Sequence, residues 1–374
     1  MTNTDGTKTG ALASLRSAFG LSTFWDRWGI TAVLVVLVVI AVAIQPGFDR
    51  GAFLNILNIT SLLREAAFLG IVACAMTLAI MNGTFDLSVG GQLALVSVLT
   101  LLAFGAGGSA VESSIRAIVV AVAAGLACGL VNSLLITALR VPPFVATLGM
   151  LFVFRGIAQL FTQDGPATMN PVDAETREKV LTFDYHDSVF FQIGSATFSG
   201  IPLVFVIMLA FFAVSYLIVR RTGLGRQVLA FGSSPTAAKF SGISAVKIRV
   251  FVFMFLGLAV GLAALTYVTR IGTADSGAQD GFELRVITAA VLGGASLQGG
   301  KGSLVGTFSA VMLVTVLNDL FRDLHVESAW QRIILGCVLV IALAIDGLRT
   351  KVPGSSALRR ALALRKQRMA RPRA

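Results

Sequence analysis

Charged residues are scarce in this sequence. Asp, Glu, Lys and Arg make up 13 % of its 374 residues, whereas 56 % are hydrophobic. A soluble domain carries about 25 % charged residues, so this composition excludes an ordinary soluble protein. Apolar runs of about 20 residues, the length of a membrane-spanning helix, recur from Ile30 to Ile345. The sequence therefore predicts an all-α polytopic membrane protein built as one membrane domain.

Cysteine and histidine are also scarce, with three and two residues. Cys74, Cys128 and Cys337 each lie inside an apolar run without C-x-x-C spacing, which is typical of packing residues. His186 and His325 are far apart in the chain. The sequence contains neither a zinc-ligand spacing nor an arrangement that would activate a nucleophile. We therefore predict no catalytic residues, no metal site and no cofactor bound by this chain.

The net charge of +11 is interpreted from the positions of the basic residues along the chain. Residues 220–249 contain six basic residues and no acidic ones, and residues 349–374 contain nine and none. Both segments flank apolar runs, which is the charge pattern of cytoplasmic loops rather than of a nucleic-acid surface. Residues 164–200 instead carry six acidic and two basic residues. This distribution predicts no nucleic-acid partner, cytoplasmic basic segments and an external loop at 164–200.

These orientations divide the chain into three parts. Residues 1–28 form a cytoplasmic segment, residues 29–348 a transmembrane domain, and residues 349–374 a basic cytoplasmic tail. We expect about ten transmembrane helices, some short or re-entrant, with both termini cytoplasmic. Two pieces are too short to cross: Ala52–Leu63, which is interrupted by Arg64 and Glu65, and Val286–Leu292.

A polar stretch, residues 82–91, separates two long apolar runs. Because ionisable residues at membrane depth often mark a transport pathway, Asp86 and Ser88 are candidates for lining one. An alternative interpretation is structural. Asp86 would stabilise the positive end of a helix that begins near Val89, with Ser88 as its N-cap or a neighbour of the N-cap.

Two proline and glycine patterns predict local breaks. Pro142 and Pro143 forbid a continuous helix, so the chain near Phe144 is expected to line a pathway. Gly293–Gly302 resembles a phosphate-binding loop only superficially, because Ala295 stands where that motif needs Gly and Gly302 where it needs Ser or Thr.

Helix ends and small residues give two further predictions. A short helix is predicted over Pro235–Ser241 on the cytoplasmic face, with Ser234 as its N-cap, Pro235 as its first residue and Gly242 as its stop. The alternative interpretation is a capped surface turn that binds no partner. The pairs Gly125/Gly129 and Gly257/Gly261 suggest close helix packing.

Four ordered blocks resemble a known family. The coupling-loop motif of ABC importer permeases, Glu-Ala-Ala followed by Gly after three residues, is similar to residues 236–242. The Gly-Gly-Ile-Asp-Leu-Ser-Val-Gly motif of ribose-type sugar permeases is similar to residues 83–90. Residues 141–156 and 293–303 match further blocks. The chain thus resembles a ribose-type permease of the branched-chain amino acid and sugar permease superfamily.

The resemblance implies an ABC importer permease fold without an ATPase site of its own. Two cytoplasmic ATPase subunits would use ATP, an extracytoplasmic binding protein would deliver a monosaccharide or similar polar solute, and a second permease copy or a homologous permease would complete the dimer. The location would be the bacterial inner membrane. Permeases for branched-chain amino acids or nucleosides are the first alternative. An ion-coupled secondary carrier is less favoured, because few ionisable residues lie in the apolar runs, and a scaffold or signalling protein is a third class.

The resemblance also assigns residues. ATPase coupling would involve Arg226, Thr236, Ala237, Ala238, Lys239, Phe240 and Gly242. The translocation pathway would include Phe85, Asp86, Ser88, Asn132, Phe144, Thr147 and Arg155. Two positions depart from the family pattern: Thr236 replaces Glu, and Thr84-Phe85 replaces Gly-Ile. Phe85 would stack on a sugar or pack against lipid or another helix.

Overall fold

The computed structural model describes residues 21–47, 52–163, 165–169, 184–277 and 279–351, and they are mostly α-helical. The expected segment 1–28 and the basic tail therefore lie largely outside the described residues. The helices are α1 (Leu21–Ile44), α2 (Ile56–Met81), α3 (Val89–Phe104), α4 (Ala110–Thr137), α5 (Pro143–Phe161), α6 (Val189–Ser195), α7 (Leu203–Arg221), α8 (Gly223–Ser233), α9 (Pro235–Phe240), α10 (Ala245–Ile271), α11 (Phe282–Leu292), α12 (Leu304–Asp323) and α13 (Ser328–Lys351).

Helix α2 lies at the centre of the bundle. Every residue from Ala66 to Met81 is buried, and α2 packs against α7, α10, α11 and α12. The predicted break at Arg64 and Glu65 was wrong, because α2 is continuous through both residues. Neither charge faces apolar surroundings: Arg64 donates to the carbonyl of Ser195 at 2.9 Å, and Glu65 accepts from Arg322 at 3.2 Å.

Among the described residues, six helices are long and apolar enough to cross a membrane, namely α2, α4, α5, α7, α10 and α12. Shorter apolar segments lie in α1, α3 and α13. Helix α11 has 11 residues, which at 1.5 Å per residue is about 16 Å, roughly half the hydrocarbon thickness. Helix α11 is thus the short element that the sequence predicts at Val286–Leu292, whereas most of the other predicted short piece, Ala52–Leu63, belongs to the long helix α2.

The predicted glycine pairs pack against each other where α4 crosses α10. A Cβ atom at Gly125 would lie 2.4 Å from the carbonyl oxygen of Gly257, and one at Gly129 would lie 2.4 Å from that of Phe253. A Cβ at Gly261 would meet the Ala121 carbonyl oxygen at 2.6 Å. Only glycine permits this backbone approach, so the interpretation of these pairs as helix contacts is confirmed.

The described residues of the predicted external loop contain short secondary-structure elements. Strand β1 (Ala167–Thr168) pairs antiparallel with β4 (Thr273–Ala274), which follows α10. A second hairpin joins β2 (Thr197–Phe198) to β3 (Ile201–Pro202), between α6 and α7. A 3₁₀ turn at Tyr185–Asp187 precedes α6. The β1–β4 pair therefore joins the predicted external loop to the segment that follows α10.

At the opposite end, three chain segments meet through glycine. The amide of Gly300 donates to the carbonyl of Met81 at 2.8 Å. A Cβ at Gly232, near the end of α8, would lie 1.8 Å from that carbonyl oxygen and 2.8 Å from the Gly300 nitrogen. Gly300 has φ +73°, a conformation that favours glycine. We call this contact among Met81, Gly232 and Gly300 the glycine junction.

Candidate functional site

A buried polar cluster surrounds Asp86 between α2 and α3. One carboxylate oxygen accepts from the backbone amide and the hydroxyl of Ser88 at 2.7 and 2.6 Å. The other accepts from the side-chain amides of Gln92 at 3.0 Å and Asn132 at 2.9 Å. Asn132 also donates to the Ser88 hydroxyl at 2.8 Å. The cluster therefore joins the connection between α2 and α3 to helix α4.

Ser88 immediately precedes α3, but its hydroxyl makes no capping bond to that helix. Asp86 instead accepts the Ser88 amide, and all three of Asp86, Ser88 and Asn132 are at most 1 % exposed. The cluster thus has the position that the structural interpretation expects, with Asp86 rather than Ser88 accepting a hydrogen bond at the helix start.

Two aromatic candidates for the pathway lie together. Phe85 and Phe144 make an edge-to-face contact with ring centroids 6.3 Å apart. Phe144 is 52 % exposed, and it follows the Pro142–Pro143 join at the start of α5. Thr147 is fully buried, and its hydroxyl donates to the carbonyl of Pro143 at 2.9 Å. Of these residues, Phe144 has the most surface available to a solute or a neighbouring chain.

Arg155 lies apart from these candidates, at a charged cavity. Its guanidinium contacts Asp280 at 2.6 Å and approaches Glu283 at 3.8 Å. The cavity has a volume of about 690 Å³ and is bounded by α2, α5, the start of α11, α12 and α13. Its lining residues are Glu65, Arg155, Asp280, Gly281, Leu284, Arg285, Asn318, Arg322, Gln331, Arg332, Leu335, Gly336 and Leu339. We call it the charged cavity.

The charged cavity lies in the half of the bundle away from the glycine junction. Helix α2 runs from Glu65 in the cavity wall to Met81 in the junction, which is 16 residues or about 24 Å of helix. Helix α12 likewise starts at Leu304, just after the junction loop, and brings Arg322 to the cavity near its other end. The bundle therefore carries a charged recess in one half and a glycine-rich contact at the other end.

The predicted coupling residues lie on α8 and α9. Ser234 caps α9, with its hydroxyl accepting from the Ala237 amide at 3.3 Å, and Gly242 follows the helix with φ +79°. Ala238 is 4 % exposed and anchors α9, whereas Phe240 is 89 % exposed. The exposed members of this set are Arg226, Thr236, Ala237, Lys239, Phe240 and Gly242. The predicted short helix is confirmed, and it presents an unpaired aromatic ring and a lysine.

Sequence reasoning missed helix α8 and the charged cavity. For α8 a signal existed, because the Thr222 hydroxyl caps it by accepting from the Gly225 amide at 3.2 Å, and Val228 and Phe231 on it are buried. For the cavity there was no local signal. Apart from Arg155, its charged members look in the sequence like residues of loops or helix ends.

A bundle of apolar helices that encloses a charged recess and ends in an exposed capped helix defines a polytopic membrane permease. Residues 58–343 match the family described as branched-chain amino acid transport system / permease component. The chain belongs to this family. It is a transport subunit and not itself an enzyme.

Curated relatives are similar over most of the chain. The ribose import permease protein of Bacillus subtilis is 35 % identical over 313 residues, which cover 84 % of this chain and 90 % of the relative. The fructose import permease protein of Rhizobium meliloti is 30 % identical over 86 % of each chain. The D-allose transport system permease protein of Escherichia coli is 30 % identical over 91 % of this chain and 97 % of its own. No solved structure matches this chain.

Proposed function

We propose that this chain is the permease subunit of an ABC importer that moves a monosaccharide or similar polar solute into the cell. The observation that carries the proposal is the similarity, over at least 84 % of the chain, to permeases named for ribose, fructose and allose import. The exposed α9 surface supports it, because a transport subunit driven by a separate ATPase needs a surface that receives the motion.

We infer ten crossings with both termini in the cytoplasm. The six long helices together with the shorter apolar segments of α1, α3 and α13 and the short helix α11 account for that number. With ten crossings, the basic segment that contains α8 and α9 lies on the cytoplasmic side, as positively charged loops do. The acidic segment 164–200 and the charged cavity then belong to the outer half.

The partners follow from this orientation. Cytoplasmic ATPase subunits would bind α9 through Phe240 and Lys239, with Arg226 on α8 beside them, and ATP would be used by those subunits. An extracytoplasmic binding protein would contact the opposite end. A second permease copy or a homologous permease would pack beside this chain. Phe85, Phe144, Thr147 and Arg155 are the residues proposed for the translocation pathway, and the buried Asp86 cluster would hold the adjoining helices in place.

A permease for branched-chain amino acids is the second candidate, because the family description names those solutes. Cells or proteoliposomes that contain the permease with its ATPase and binding protein should take up a radiolabelled monosaccharide when ATP is supplied. Uptake of leucine instead would favour the second candidate. Uptake by the permease alone that stops when an ionophore dissipates the ion gradient would contradict both and indicate a secondary carrier.

A further inference from the structure

The charged cavity is large enough for a small organic solute. Its volume of about 690 Å³ falls within the range of roughly 300 to 1,000 Å³ that small-molecule sites occupy. It forms where α11 begins inside the bundle, so its wall combines a helix start with side chains from four other helices.

The cavity wall and the residues behind it carry charges of both signs. Its wall contains four guanidinium groups, those of Arg155, Arg285, Arg322 and Arg332, and the carboxylates of Glu65 and Asp280. Two further carboxylates stand directly behind it: Glu283 lies 3.8 Å from Arg155, and Asp319 lies 2.8 Å from Arg322. Among these eight groups, positive and negative charges are therefore equal in number.

Hydrogen-bond donors and acceptors both line this space. The Arg322 guanidinium bridges Glu65 on α2, at 3.2 Å, and Asp319 on its own helix. The Arg155–Asp280 pair borders the cavity at 2.6 Å, and the carboxylate of Asp280 is 70 % exposed. Asn318 and Gln331 add amide groups to the wall. Guanidinium groups only donate hydrogen bonds and carboxylates only accept them, whereas a hydroxyl does both, so vicinal hydroxyls match a wall that offers donors and acceptors side by side.

Other solutes match this wall less well. The side chain of a branched amino acid would displace water from the ion pairs without replacing its hydrogen bonds, which is unfavourable. A sugar acid would add a charge to a set that is already balanced. Leu284, Leu335 and Leu339 supply apolar wall, on which the C–H face of a sugar ring can rest.

We propose that the charged cavity is a transit site for a neutral polyhydroxylated solute, a monosaccharide rather than a sugar acid or an apolar amino acid. The inference rests on the proposed import function and deepens it, because it assigns part of the solute recognition to the permease itself. It adds Glu65, Asp280, Arg285, Asn318 and Arg322 to the single cavity residue, Arg155, that the sequence had indicated.

Protection of a cysteine in the wall tests the proposal. Leu335→Cys is made in a Cys337→Ser background, which removes the exposed native cysteine and leaves Cys74 and Cys128, which are buried. The variant permease is assembled with its partners in membrane vesicles. A membrane-impermeant maleimide then labels it in the presence of D-ribose, D-fructose, D-allose, D-glucuronate or L-leucine. Leu324→Cys, at a leucine that is 53 % exposed and outside the cavity wall, is the matched control.

At least one neutral monosaccharide should slow the labelling of Leu335→Cys, by about threefold when its concentration is twice its dissociation constant. Labelling of Leu324→Cys should not change with any solute. Equal protection by D-glucuronate or L-leucine would overturn the proposed selectivity. If Leu335→Cys does not reach the membrane, Leu339→Cys provides the same measurement at a second lining residue.

Uptake measured in the same vesicles separates this inference from the function on which it rests. Import of a neutral monosaccharide without protection at either position would overturn the transit site and leave the importer intact. Protection without import of any monosaccharide would support the cavity site and contradict the import function. Absence of both would overturn both.

Discussion

Asp86 shows how a carboxylate is tolerated inside an apolar bundle. None of the ion pairs among the described residues involves it. Its two oxygens accept four hydrogen bonds, from the Ser88 amide and hydroxyl and from Gln92 and Asn132. One backbone amide, one hydroxyl and two side-chain amides thus donate the hydrogen bonds that water would otherwise supply to this carboxylate. The geometry therefore favours the structural interpretation of Asp86.

Replacing Asp86 by Ala should destabilise the protein, because buried donors of Ser88, Gln92 and Asn132 would lose their acceptor. Each unsatisfied buried group costs about 1–3 kcal/mol, so the melting temperature in detergent should fall clearly. Asp187→Asn, at an exposed aspartate of the 3₁₀ turn, should leave it unchanged. A stable Asp86→Ala protein that has lost uptake would instead assign Asp86 to the pathway.

In contrast to the buried Asp86, Phe240 lies on the surface, where it is 89 % exposed. Phe240→Ala should leave the melting temperature unchanged because the ring packs against little of its own chain. If α9 binds the ATPase, removing a central aromatic anchor should weaken the complex by about 2 kcal/mol, or roughly thirtyfold in affinity. Co-purification at increasing dilution measures this. Leu324→Ala is the control, because Leu324 lies at the end of α12 away from the glycine junction. If both variants lose the same affinity for the ATPase, the ATPase contact is not at Phe240.

At the level of elements, the glycine junction connects α8 to α2 and to the loop between α11 and α12. The contacts are between backbones, with the Gly300 amide bonded to the Met81 carbonyl and Gly232 against both. Helix α9 follows α8 directly through Ser234. We therefore expect motion imposed on α8 and α9 to reach α2 and the loop between α11 and α12 through this backbone contact.

Gly232→Ala should disturb this connection. Its Cβ would lie 1.8 Å from the Met81 carbonyl oxygen, so the backbones must separate, at a cost of about 1–3 kcal/mol. In the assembled importer we expect ATP hydrolysis to continue while uptake falls, both measured in proteoliposomes. Gly223→Ala on the same helix is a matched control, because the nearest atom to its Cβ is 3.9 Å away. Normal uptake by Gly232→Ala would show that the junction does not transmit motion.

The elements show what local sequence can and cannot predict. Helix α9 was predictable because Ser234, Pro235 and Gly242 mark its ends, and α4 and α10 were predicted to approach because of their glycine pairs. The predicted end of a helix at Arg64 and Glu65 was wrong, because their partners, the Ser195 carbonyl and Arg322, are more than 100 positions away. Charged residues within an apolar run therefore indicate a helix end only when they have no polar partner elsewhere in the fold.

At the scale of the whole molecule, the charged cavity could not be predicted from the chain. Glu65, Arg155, Arg285, Arg322 and Arg332 come from five different helices, and Glu65 and Arg155 are far from the other three in sequence. The packing of α11 against α2, α12 and α13 helps to bring them together. The Asp86 cluster was partly predictable, because Asp86 and Ser88 are neighbours in the chain. Its third partner, Asn132, joins through the packing of α3 against α4.

Labelling from each side of the membrane tests the orientation of the whole bundle. The basic residues around α8 and α9 should hold Phe240 in the cytoplasm, and the end of α12 should place Leu324 outside. Both side chains are exposed, at 89 % and 53 %. Phe240→Cys and Leu324→Cys, each in a Cys337→Ser background, are treated with an impermeant maleimide. Intact right-side-out vesicles should label Leu324→Cys alone, and inverted vesicles Phe240→Cys alone.

Permeabilised vesicles should label both variants, which verifies that each cysteine is reactive, and the Cys337→Ser background should remain unlabelled because Cys74 and Cys128 are buried. Labelling of both variants from the same side would contradict the proposed crossing number, since α10, α11 and α12 separate the two positions. Three crossings, an odd number, must place them on opposite sides. The reversed pattern would keep the crossings but invert the molecule, and α9 would then face away from any cytoplasmic ATPase.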